Sequence, residues 1–146
     1  MAETMRNVVF FRTNLFENKE PKPHSINPRC FGEDLISWLW EKLQGNSFSL
    51  GKPIQEDYGW GLVAENDYWV AAGVMEDSID VENPEWLITI NYDPGPNLIK
   101  SLFKKADHSL QLRICEAINS ALRKESSITD IRWCDEKETD CGENPH

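Results

Sequence analysis

Apolar residues change their spacing several times along this 146-residue chain, and each change marks an element. "NVVFFRT" (7–13) crowds β-branched and aromatic residues together and predicts a first strand. In "CFGEDLISWLWEKLQG" (30–45) the spacing becomes helical, with Leu35, Ile36, Leu39, Trp40 and Leu43 on one stripe. Glu33 and Asp34 suit the positive end of that helix, and Gly45 supplies a left-handed stop. Trp38 falls at the stripe's edge, about 60° from Leu35 at about 100° per residue.

Strand spacing then returns. "GWGLVAE" (59–65) and "YWVAAGVME" (68–76), joined by a short turn near Asn66, predict a hairpin. The second of these is largely apolar on both faces, which predicts a central strand. "EWLITINY" (85–92) is a third strand, with Trp86, Ile88, Ile90 and Tyr92 on its drier face. A long helix follows over roughly 108–124, with Asp107 as N-cap. Its stripe is Leu110, Ile114, Ala117, Ile118, Ala121 and Leu122. "SITDIRW" (127–133) predicts a last strand. The order β-α-β-β-β-α-β implies an α+β fold: an antiparallel sheet with two main helices on one face, where both apolar stripes are buried.

The connections differ in character. "NLFENKEPKPHSINP" (14–28), broken by Pro21, Pro23 and Pro28, is long for a plain loop, and such loops are often functional. "DPGPN" (93–97) stops the third strand, and "LIKSLFKK" (98–105) is a short amphipathic segment. Its Lys100, Lys104 and Lys105 read as a solvated face. "CDEKETDCGENPH" (134–146) is polar and acidic with no core-forming pattern. One domain over 1–134 with an acidic C-terminal tail over 135–146 is therefore expected.

"IQEDYGWG" (54–61) packs acids, aromatics and glycines into one corner. A catalytic reading makes Glu56 or Asp57 a general acid or base beside Trp60. Adjacent residues on extended chain point to opposite faces, so the two carboxylates do not easily serve one site. The stretch reads first as a strand entrance, with Gly59 and Gly61 there for backbone reasons and Trp60 for packing. A partner-binding rim built on Tyr58 and Trp60 comes second.

Fifteen basic residues against twenty-five acidic ones give a net charge of −10. Such a surface repels phosphate and anionic lipid, so neither nucleic acid nor a membrane is an expected partner. A basic protein fits better. No apolar run reaches the length of a signal peptide or a membrane span. Cys30, Cys115, Cys134 and Cys141, with no C-x-x-C pair, are expected as reduced thiols in a cytoplasm, and no disulfide is expected to be needed for folding.

Other chemistry is thinly represented. His24 and His108 could each pair with a carboxylate, although solvated or capping roles explain them as well. Cys30, beside Arg29 and just ahead of a helix, could be an activated thiol or a small buried hydrophobe. Cys134, Cys141 and His146 match no compact zinc spacing. No nucleotide-binding, zinc-protease, nucleophile-elbow or calcium-loop motif occurs, and no cofactor is implied.

"INPRCFGEDLISWLWEKL" (26–43) and "PIQEDYGWG" (53–61) resemble small bacterial proteins of unassigned activity through N-P-x-C-F-G-E-D-L-x-x-W-L followed by E-D-x-G-W. That resemblance implies no catalytic role. Size and charge are also similar to those of immunity proteins that neutralise toxins. The expectation is a non-catalytic interaction protein with Trp38, Tyr58 and Trp60 as binding anchors. The alternative is a small enzyme or ligand-binding protein with a pocket near Glu56, Asp57 and His108.

Overall fold

A computed structural model describes residues 6–19, 31–56, 59–65, 67–93 and 107–146. The segment 98–105, with its three lysines, lies outside them. Strand β1 is Val8–Arg12 and helix α1 is Glu33–Lys42. Strands β2 (Ile54–Glu56), β3 (Gly59–Ala64), β4 (Tyr68–Val74) and β5 (Glu85–Tyr92) follow. Helix α2 spans His108–Lys124, and β6 (Thr129–Cys134) and β7 (Cys141–Gly142) close the chain. The strands form one antiparallel sheet in the order β2-β3-β4-β5-β1-β6-β7.

The expected α+β architecture is present. Period two sends Val9, Phe11, Leu62, Val70, Trp86, Ile88, Ile90 and Trp133 to one face of the sheet. Leu35, Ile36 and Leu39 of α1 and Ile114, Ile118 and Leu122 of α2 join them in a single buried cluster. Both helices thus cover the same face. On the other face, Val8, Phe10 and Cys134 form a smaller cluster with Leu87 and Met75 packed against it.

Local chemistry sets the element ends. Gly45 has the left-handed φ of 86° that stops the chain after α1. The Asp107 carboxylate accepts the N–H groups of Ser109 and Leu110, both at 3.1 Å, and these bonds hold its pKa below the usual carboxylate range. The Tyr68 hydroxyl fastens the same residue to the sheet. It donates to the Asp107 carbonyl at 2.9 Å and accepts the Asp107 N–H at 2.8 Å. Burial raises the Tyr68 pKa, so the hydroxyl stays a donor.

"GWG" (59–61) is a strand entrance. Gly59 has φ 154°, a backbone that side chains resist. Gly61 is needed for space. A Cβ there would stand 2.5 Å from Trp69 Cζ2 and 2.6 Å from the Val70 carbonyl oxygen.

The cysteines and the chain's end depart from expectation. Cys134 and Cys141 are joined in a disulfide, seven residues apart in sequence. Antiparallel pairing of β6 with β7 sets the two residues opposite each other, which brings their sulfurs within bonding reach. That bond also removes both thiolates from any zinc site with His146. Cys115 is free and buried, and burial pushes its pKa up to about 12. Residues 135–146, expected as a tail, instead add β7 and a polar clasp. Arg6 donates to the Asp140 carboxylate at 2.8 Å and to the carbonyls of Asn144 and His146. Arg123 donates to the Glu143 carbonyl. The Asp135 carboxylate takes the hydroxyl and the N–H of Thr139, and its pKa falls accordingly.

Two measurements check this account. Gly61→Ala should lower stability by about 1–3 kcal/mol in a denaturant melt, as overpacked core sites do. A loss under about 0.5 kcal/mol would mean that Trp69 swings aside freely. Reduction should lower stability by about 2–3 kcal/mol, the loop-closure value for so short a ring. Equal melting with and without a reductant would show that the disulfide contributes nothing.

Candidate functional site

The strand register separates the residues of the catalytic alternative. Glu56 pairs with Gly59 at one end of β3, on the face away from the helices. His108 is the first residue of α2, next to Asp107, which Tyr68 holds. Tyr68 pairs with Ala64 at the other end of β3. The two ends are five residue steps apart, about 17 Å at roughly 3.3 Å per residue. Glu56 and His108 are therefore not brought together. Asp57, Tyr58, Cys30 and His24 lie outside the described residues.

The proposed aromatic anchors are both half-buried. Trp60 points to the helix side of the sheet and packs against the main core. Gly32, just before α1, lies so close that a Cβ there would be 2.6 Å from the Ala72 carbonyl oxygen and 3.4 Å from Trp60 Cβ. Trp38 lies further along α1. Its ring meets Phe16 edge-on at 5.8 Å, and the Lys42 ammonium stands 6.0 Å from its centroid.

Exposed apolar side chains point to another region. Among the described residues the exposed large hydrophobics are Leu15 (45%), Ile54 (43%) and Val81 (42%). Leu15 and Val81 belong to adjoining segments, 13–19 and 76–85, which build one knob at an end of the sheet. Asn18 joins them. Its buried side-chain amide donates to the Ser78 carbonyl at 2.9 Å and the Val81 carbonyl at 3.1 Å, and its backbone carbonyl accepts the Asp80 N–H at 2.9 Å. Asn83 N–H donates to the Asn14 side-chain oxygen at 2.6 Å, and Thr13 N–H to the Pro84 carbonyl at 3.3 Å.

From below, Phe16 pins the knob to the core, its ring edge-on to Trp86 at 5.5 Å. Ser78 closes the second segment by accepting the Glu85 N–H at 3.1 Å. Asp80 and Asn83 sit at positive φ, 62° and 51°, which both residue types tolerate better than most. Glu17, Glu76, Asp77, Asp80, Glu82 and Glu85 supply carboxylates, against Arg12 and Lys19. The knob is thus two cross-tied segments, rich in carboxylates, each exposing one large aliphatic side chain. It holds no convergent acid–base pair, and among the described residues no group of three or more metal-ligating side chains gathers anywhere.

Reasoning from sequence missed Leu15 and Val81. One signal was present: "EDSIDVENPE" (76–85) sets a lone valine among acids in a turn-rich segment. No family model, curated protein or solved structure matches the chain.

Asn18→Ala tests the knob's stiffness. It leaves the Ser78 carbonyl with the Val81 N–H alone, takes the amide donor from the Val81 carbonyl, and should cost about 1–3 kcal/mol in a denaturant melt. Amide exchange at Asp80 should speed up beyond what that global loss explains. Unchanged exchange there would show that Asn18 does not organise the segment.

Proposed function

We propose that the protein is a non-catalytic binding protein whose partner is a basic protein, and that the knob bearing Leu15 and Val81 is its contact surface. One observation carries this reading: two hydrogen-bonded segments, rich in carboxylates and tied by the Asn18 amide, each expose one large aliphatic side chain. Aliphatic contacts supply affinity where water is excluded, and the charged rim steers the partner and sets its orientation. Pre-ordering the segment lowers the entropy lost on binding. Trp38, half-buried against the core, supports the surface from within through Phe16, and Trp60 packs against the core.

A net charge of −10 argues for a basic partner and against nucleic acid. Neutralisation of a basic protein, in the manner of immunity proteins, fits that charge. No helix among the described residues is long and apolar enough to cross a membrane. A cytoplasmic placement, expected where no apolar run reaches signal-peptide length, carries reduced thiols with it, and the Cys134–Cys141 disulfide does not fit that consequence.

Capture from a host-cell lysate at low and moderate salt provides the test, with wild type compared against Val81→Lys and Leu15→Lys. Recovered partners should be basic, should wash off as salt rises, and should lose affinity by about 2 kcal/mol or more with either variant. A charge-changing control at Glu143, on the far clasp, should bind normally. Partners that ignore both knob substitutions would overturn the assignment of this surface.

A further inference from the structure

Away from the knob, α1 and α2 leave a cleft of about 260 Å³ between them. Its local charge opposes that of the protein as a whole. Lys42, the last residue of α1, and Lys124, the last of α2, both line it. Among the described residues, neither ammonium forms an ion pair with a carboxylate. Glu125 also lines the cleft, but its carboxylate accepts the Ser127 N–H at 3.3 Å.

The gap exists because α2 presents Ala117, Ser120 and Ala121 toward α1. Larger residues would fill it. The opposite wall is Trp38, whose ring already attracts the Lys42 ammonium. One apolar wall, one aromatic wall and two cations at the rim match a small amphipathic anion.

We propose that this cleft binds a small organic carboxylate. Its apolar body lies between Trp38 and the two alanines, and its carboxylate lies between Lys42 and Lys124. The volume falls below the roughly 300–1,000 Å³ of drug-sized sites, so the ligand is a single ring or a short chain. Charge-assisted hydrogen bonds from the ammonium groups give the selectivity for an anion. Both lysines also offset the carbonyl ends of their helices. That role alone needs no ligand and predicts no binding, so the two accounts separate cleanly. The site shares no residue with the partner surface, and its failure would leave that surface untouched.

Benzoate is the probe, titrated into the full isotope-labelled chain and followed by NMR. The Trp38 indole N–H, identified with Trp38→Phe, and the amides of Ala117, Ser120 and Lys124 should shift and saturate. Benzyl alcohol, with the same ring and no charge, should bind at least tenfold more weakly. Lys42→Gln combined with Lys124→Gln should weaken benzoate at least tenfold while the chain stays folded, with only the small loss of melting temperature expected from two exposed helix-end charges. No saturable shift, equal binding of benzyl alcohol, or undiminished binding by the folded double variant would each overturn the proposal.

Discussion

Everything else in this structure hangs on Trp86. Its side chain is fully buried at the join of three strands, where β5 pairs with Phe11 of β1 and with Val74 of β4. The indole N–H donates to the Thr13 carbonyl at 3.2 Å, so this ring, one of two fully buried tryptophans among the described residues, carries no unpaired donor. Burial of such a ring stabilises by roughly 4–6 kcal/mol at about 25 cal/mol per Å². The same hydrogen bond fixes where the chain leaves β1. Phe16 then lands edge-on to Trp86, and Trp38 lands edge-on to Phe16. An aromatic line thus runs from the sheet through the knob's anchor to the helix layer.

That line connects two surfaces of opposite charge. At one end the knob shows Leu15 and Val81 among carboxylates. At the other, Trp38 forms a wall of the lysine-lined cleft. A net charge of −10 would be expected to repel any anion, yet screening at physiological salt confines such repulsion to about 8 Å. Charges within the cleft therefore set the local potential there, and the acidic residues elsewhere set it around the knob.

Much of the fold was legible in the chain because it rests on local periodicity. The α1 stripe, the 59–76 hairpin, the third strand and the Asp107 cap all follow from neighbours within a few residues. What stayed hidden depends on distant partners. Asn18 reads as a loop asparagine, and only the fold brings it to Ser78 and Val81. Cys134 and Cys141 match no spacing motif, and their bond follows from the register of two paired residues. Glu56 and His108 looked compatible in composition, but the β3 register holds them at opposite ends of a strand. Large aromatics are common at interfaces, which is why tryptophans stand out in the sequence; that the rings of Trp38 and Trp60 are half-buried against the core depends on distant partners.

The sheet's edges narrow the mode of recognition further. An edge strand offers a row of unpaired backbone groups to any extended partner. Here the outer strands are only three residues (β2) and two residues (β7) long. β7 is also held by the disulfide to β6, with Gly142 against the Arg6 guanidinium. Strand addition gains affinity from a run of main-chain hydrogen bonds, and two or three residues supply few of them. Side-chain contact at a stiff, charged knob needs no such edge. The short, clasped edges therefore fit the proposed partner surface: a partner met at the knob would be read through its own surface charges and side chains, not through its backbone.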